Sequence, residues 1–215
     1  MSDKIIVTIS REFGTGGHSV GKKLAEELGI KFYDNELIKM AAEKMGFKEG
    51  YIQNNEERVP DFSMSGIFSG ISSFAPNPSD SIQESEFELI REIARNESCV
   101  IVGRAADYIL QDEQHISVFL FAPIEARIRR LKNDTKNYKA YLPEDNYTEE
   151  QLLKAVKVID KQRRKFYEFY TENSWGDRDI YDLLINTDRT GVDGAVEIIK
   201  RYLEVSRDKD ILSDI

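Results

Sequence analysis

The sequence predicts an α/β protein: a parallel five-stranded sheet with helices on both faces. Three observations carry that expectation. Five short runs rich in β-branched residues are separated by longer stretches of helical period. Those runs are almost continuously apolar and do not alternate, which suits strands covered on both faces. Strands that alternate with helices in this way build doubly wound sheets through right-handed crossovers.

The elements follow in order. The first run is Ile5-Ile6-Val7-Thr8-Ile9, and the second is the short Lys31-Phe32-Tyr33. The third, Cys99-Val100-Ile101-Val102, stops at Gly103; the fourth is Ser117 to Phe121 and the fifth Leu183-Leu184-Ile185. Between the first two runs, Val20, Leu24, Ala25 and Leu28 share one helical face before Gly29. Phe87, Ile90, Ile93 and Ala94 do so before the third run, and Val192, Ala195, Val196, Ile199 and Leu203 after the fifth. Residues 61–81 are rich in Ser, Gly and Pro, and are expected to form a mobile loop with a few apolar anchors. Residues 132–150 show no apolar period and are expected to form a flexible flap. A helix should follow, capped by Thr148 with Gln151 three residues on.

Composition narrows the function classes. At 215 residues the chain suits one domain, and 40% hydrophobic with 32% charged residues is ordinary for a globular protein. Thirty Lys and Arg against thirty-nine Asp and Glu give a net charge of −9, a poor basis for binding nucleic acid or anionic membranes. No apolar run approaches a membrane span, and the N-terminus has no signal-peptide pattern, so a cytoplasmic location is expected. One Cys and two His rule out a disulfide framework and a Cys/His zinc cluster.

The stretch from Ser10 to Ser19, SREFGTGGHS, leaves the first strand and opens a helix. A glycine-rich strand-to-helix turn lets backbone N–H groups converge on an anion, and the helix N-terminus adds positive potential there. Gly14, Thr15, Gly16, Gly17, His18 and Ser19 are therefore the candidate phosphate-binding residues. The motif G-x-x-x-x-G-K-[ST] fits in two ways, neither complete. Starting at Gly16, it places Lys22 well inside the helix and Lys23 where a hydroxyl belongs. Starting at Arg11, it fits the strand and helix boundaries but puts Gly17 in place of the lysine, with Ser19 as the hydroxyl for magnesium. The second alignment is preferred.

Residues 9–25 (ISREFGTGGHSVGKKLA), Phe32-Tyr33-Asp34, Val102-Gly103-Arg104, and Asp160 to Arg164 with Tyr167 resemble the nucleoside monophosphate kinases, most closely the cytidylate kinase-like family. The resemblance implies a phosphate-loop kinase core in a single domain over 1–215. It further implies an acceptor-binding insertion at about 48–85, a lid at about 127–165, and magnesium-assisted transfer of the ATP γ-phosphoryl group to a nucleoside monophosphate. By the same likeness Asp34 faces the acceptor and the metal's waters. Arg127 and Arg130 belong to the lid, and Asp160 and Arg163 meet the acceptor sugar and phosphate. Two positions depart from the family pattern: Gly17 replaces the loop lysine, and Ala105 stands where an aspartate follows Gly-Arg.

The residues themselves leave alternatives. Arg104 ends the third strand, where open α/β sheets bind ligands, and is read as an acceptor-phosphate residue or as a rim arginine paired to a carboxylate. Asp34 is equally placed to cap a following helix, Asp160 to pair with Arg164, and Glu125 with Arg129. The missing lysine requires another cation, and Lys22, reaching back along its helix, is preferred over Arg11. The first and third strands should be neighbours, so that residues 14–19 and Arg104 open on one cleft. The leading expectation is a kinase using ATP and Mg2+ on CMP or dCMP. The alternatives are a kinase of another small metabolite and a nucleotide-binding regulator without turnover.

Overall fold

A computed structural model describes residues 4–34, 80–139, 141–144 and 146–213. Five parallel strands, β1 (Ile6–Arg11), β2 (Lys31–Tyr33), β3 (Cys99–Val102), β4 (Ile116–Phe121) and β5 (Leu183–Asn186), lie in the order β2-β3-β1-β4-β5. All five predicted strands are present. β1 extends two residues further than predicted, because Ser10 and Arg11 continue in register with Phe119 and Leu120 of β4. β1 and β3 are direct neighbours, with Ile9 opposite Val102.

The helices are α1 (Gly17–Leu28), α2 (Asp80–Asn96), the single turn α3 (Ala106–Ile109), α4 (Ile124–Asn133), α5 (Glu149–Thr171) and α6 (Thr187–Ser213). Continuous apolar strands follow from burial on two sides. Val7, Ile9, Val118 and Leu120 pack on Val20 and Leu24 of α1 and on Val196 and Ile199 of α6. Ile6 and Ile101 point the other way, onto Ile90 and Ile93 of α2 and Leu110. The predicted cap of α5 is complete: Gln151 N–H donates to Thr148 Oγ1 at 3.2 Å, and Thr148 N–H donates to Gln151 Oε1 at 2.8 Å.

The expectation of a flap over 132–150 is corrected. α4 ends at Asn133, a 3-10 turn spans Thr135–Tyr138, and Leu142 is fully buried. Tyr138 and Leu142 join a core with Phe13, Leu131 and Leu152. The Phe13 ring meets Tyr138 and Tyr141 edge-on, with centroids 5.4 and 5.2 Å apart. Three anchors at uneven spacing satisfy no period, yet they seat this segment on the turn that follows β1. The predicted loop at 61–81 and insertion at 48–85 lie outside the described residues except for the start of α2. Among the described residues, no helix is long and apolar enough to cross a membrane.

Candidate active site

The turn Glu12–Gly16 joins β1 to α1 at the C-terminal edge of the sheet. Gly14 (φ 83°) and Gly16 (φ 85°) are both left-handed, a conformation that side chains disfavour. Gly14 also lies under α4, where an added Cβ would come within 3.1 Å of Arg127 Cβ. Thr15 is buried and its hydroxyl donates to Glu12 O at 2.8 Å, fixing the turn from within. Gly16 caps α1 with no side-chain hydrogen bond, and the first turn holds no acidic residue. The start of a twelve-residue helix thus carries no side-chain cap from its own N-cap residue, while Tyr138 hydrogen-bonds the Gly16 backbone. Ser19 is half-buried in that first turn.

Two groups of arginines surround the turn. On the α4 side, Arg127 is 7% exposed. It pairs with Asp160 Oδ2, lies 3.6 Å from Glu12 Oε2, and donates to Phe13 O at 3.5 Å. Asp160 Oδ1 accepts from Phe13 N–H at 2.7 Å. Burial raises the pKa of Glu12, whose Oε2 also accepts from Ala122 N–H at 3.1 Å. In this arrangement Arg127 and Asp160 together brace the turn. The expected Asp160–Arg164 pair is absent from the described contacts, as Arg164 instead lies over the Trp175 ring at 5.8 Å. Arg129 pairs with Asp188 at 2.7 Å, in place of the alternative Glu125. Arg130 donates to Gly14 O at 3.0 Å and to Thr187 O at 3.1 Å, tying the turn to the start of α6.

On the other side, Arg11, Arg104 and Arg163 converge. The Arg11 side chain crosses the end of β3 to Asp34, with Nη2 3.3 Å from Asp34 Oδ1. His18 Nδ1 donates to Asp34 Oδ2 at 2.7 Å. Burial works to raise the Asp34 pKa, yet His18 and Arg11 hold it below the ordinary carboxylate value. Asp34 therefore serves as a counter-charge, and a helix beginning there lies outside the described residues. Burial and the charge of Arg163 push Arg11 down to about 10, so it remains a cation at neutral pH. Arg163 donates to Arg11 O at 3.1 Å and lies over the rings of Phe13 and Tyr141 at 5.6 and 5.8 Å.

Arg104 occupies an unusual turn. Gly103 (φ 81°), Arg104 (φ 62°) and Ala105 (φ 51°) are consecutively left-handed. Two non-glycine residues there cost of order 1–3 kcal/mol each, a strain the surrounding fold must hold. Glu86 of α2, 2% exposed, forms an ion pair with Arg104, with Oε1 3.3 Å from Nε. Of the sequence alternatives for Arg104, the pairing to a carboxylate is present, at the end of β3. Lys22 is exposed on α1, without an ion pair among the described contacts.

Sequence reasoning missed a buried polar group behind this edge. Tyr167 OH donates to Asp107 Oδ2 at 2.6 Å, and Ser10 Oγ donates to Asp107 Oδ1 at 3.4 Å, joining α5, α3 and β1. Burial raises the Asp107 pKa. The polar residues inside otherwise apolar stretches, Ser10 and Asp107, were the available signal. A cleft of about 290 Å³ lies on the same face, lined by Glu12, Phe119, Phe121, Arg164 and Trp175.

A parallel β2-β3-β1-β4-β5 sheet with a glycine turn opening α1 at its carboxyl edge defines an α/β fold of the phosphate-loop kinase class. Shikimate kinase from Bacteroides thetaiotaomicron shares the fold, with a TM-score of 0.53 and 17% identity over 93% of this chain and 98% of that one. The chain belongs to the cytidylate kinase-like family, whose model matches residues 6–189. It is similar to the cytidylate kinase of Ignicoccus hospitalis, 28% identical over 92% of this chain and 98% of that protein. The cytidylate kinase of Pyrococcus horikoshii is 25% identical over 94% of this chain and 90% of that protein. A crystal structure of an uncharacterized protein from Eubacterium ventriosum superimposes with a TM-score of 0.70, at 32% identity over 94% of this chain and 99% of that one.

Proposed function

We propose that this protein transfers the γ-phosphoryl group of ATP to a nucleoside monophosphate, with CMP and dCMP the first acceptors to test. One observation carries the reading: the uncapped start of α1 and the cations Arg11, Arg104 and Arg163 meet at one sheet edge. Phosphoryl transfer between two anions needs that concentration of positive charge, and little covalent help. The names of the family and of the relatives support the nucleotide acceptor.

The N–H of Gly17 and the α1 N-terminus would hold the donor phosphates. A magnesium ion would be held chiefly by phosphate oxygens, with the Ser19 hydroxyl as its protein ligand. When bound, that ion offsets charge on the donor phosphates. Arg104 and Arg163 would orient the acceptor phosphate. One of its oxygens forms a bond to the γ-phosphorus as the bond to the bridging oxygen breaks, releasing ADP. That acceptor oxygen is already ionised, so no general base is required.

The test is ADP release from ATP and magnesium with CMP, dCMP, UMP, AMP and GMP in parallel. Release with at least one of them, with the nucleoside diphosphate as product, is the expected result. ATP binding without ADP release on any acceptor would establish a nucleotide-binding regulator instead. Release only with a non-nucleotide acceptor would establish a small-metabolite kinase.

A further inference from the structure

We propose that Arg11 is the cation this phosphate loop uses in place of a lysine, and that Gly17 lacks a side chain because the Arg11 side chain runs across it. The inference rests on the phosphotransfer reading above. It also reverses the sequence preference for Lys22.

Position 17 is where the preferred alignment of the loop motif expects lysine. A Cβ placed on Gly17 would stand 2.7 Å from Arg11 Cγ, 3.1 Å from its Cβ and 3.5 Å from its Cδ. The backbone of Gly17 is not in the left-handed region, so conformation alone does not demand glycine there. What demands it is the arginine. A lysine at 17 and this course of Arg11 exclude each other sterically.

The guanidinium then reaches the end of β3. Gly103 is already left-handed, and a Cβ there would also overlap Nη1, the mobile end of the Arg11 side chain. The opposite nitrogen ends on Asp34, which His18 holds from the first turn of α1. Arg11 thus starts at the end of β1, passes beneath the opening of α1, and ends between β3 and β2. That line runs from the glycine turn toward the like-charged Arg104. Lys22 lies five residues into α1, about 7.5 Å along its axis from Gly17, and is exposed. It would have to fold back over a full turn to arrive where Arg11 already is.

Arg11 itself exchanges no atoms in the reaction. It offsets charge on the equatorial oxygens while the bond to the bridging oxygen breaks and the bond to the acceptor oxygen forms. A contact of that kind strengthens in the transition state and so acts on kcat.

Two measurements on the full chain test this. The first uses unfolding temperature and needs no substrate. Gly17→Ala should destabilise the wild-type chain and cost several-fold less in an Arg11→Ala background, where the obstructing side chain is gone. Equal cost in both backgrounds overturns the packing half of the proposal. The second uses ADP release with the best monophosphate of the panel. Arg11→Ala should lower kcat about 100-fold or more, with the ATP KM changed less than about threefold. Guanidinium chloride at millimolar concentration should restore at least about tenfold of that loss in Arg11→Ala and none in the wild type. Retention of kcat within about threefold overturns the catalytic half. So does a 100-fold loss in Lys22→Met with Arg11→Ala unaffected, or a loss that guanidinium does not rescue in a variant that folds. A wild-type protein without ADP release is a different result: it removes the phosphotransfer reading and the catalytic half with it, while the unfolding cycle still decides the packing half.

Discussion

Arg127 and Arg11 are both buried beside the same glycine turn, and the protein treats them in opposite ways. Arg127 meets the carboxylates of Asp160 and Glu12 and the carbonyl of Phe13. Its charge is more than matched. Arg11 meets one carboxylate, Asp34, which it shares with His18, and has Arg163 and Arg104 as like-charged neighbours. A matched cation braces backbone; an undermatched group of cations has room for an anion. Residue type alone does not separate these uses, and the balance of counter-charge does.

The largest effect that would break this comparison lies on the braced side. Arg127→Met strands Asp160 and Glu12, and should lower unfolding free energy by about 3–5 kcal/mol in urea titration. A variant as stable as the wild type would mean that Arg127 is not holding the turn. On the undermatched side, Arg104→Ala and Arg163→Ala should cost about 1.5–3 kcal/mol in kcat/KM for the acceptor, with a smaller change in ATP affinity. Equal weakening of ATP and acceptor would remove their assignment to the acceptor.

The smallest effects separate two buried carboxylates. Asp34 has a lowered pKa, so its contribution to stability is present above its ordinary value and is lost as pH falls through the lower folded one. Asp34→Asn should remove that acid-side loss. Asp107 has a raised pKa, so the folded state binds the proton more tightly and gains stability as pH falls through the raised value. Asp107→Asn should change neutral-pH stability by no more than about 1 kcal/mol and abolish that gain. Urea midpoints measured from about pH 3 to 7 distinguish the two, and profiles that bend the same way would show that one environment is misassigned.

The sheet was readable because burial on two faces forces continuous apolar runs, and such runs are local. The α5 cap was readable for the same reason, since Thr148 and Gln151 need only each other. The anchors Tyr138, Tyr141 and Leu142 were not. Their partner Phe13 is more than 120 positions away, and nothing in their own neighbourhood announces it. The site divides along the same line. The glycine turn and the arginine at the end of β3 were visible in sequence. The contacts of Asp160 with Phe13 N–H, 147 positions away, and with Arg127 exist only in three dimensions and were not legible. Lys22 was preferred because distance along a helix can be counted. The space Arg11 takes from Gly17 cannot, although a glycine in the lysine position was itself the clue.

The indole of Trp175, the chain's single tryptophan, has its edge toward Phe119 at 5.3 Å and carries the Arg164 guanidinium over its ring. Arg164 follows the residue that holds the Arg11 carbonyl, and Glu12 of the phosphate turn lines the same cleft. A charge sitting over an indole shifts its emission energy, so any displacement of α5 against the sheet changes the colour and yield of intrinsic fluorescence. The molecule carries its own optical reporter, with no competing fluorophore of its kind, four residues past the end of the helix that braces the glycine turn.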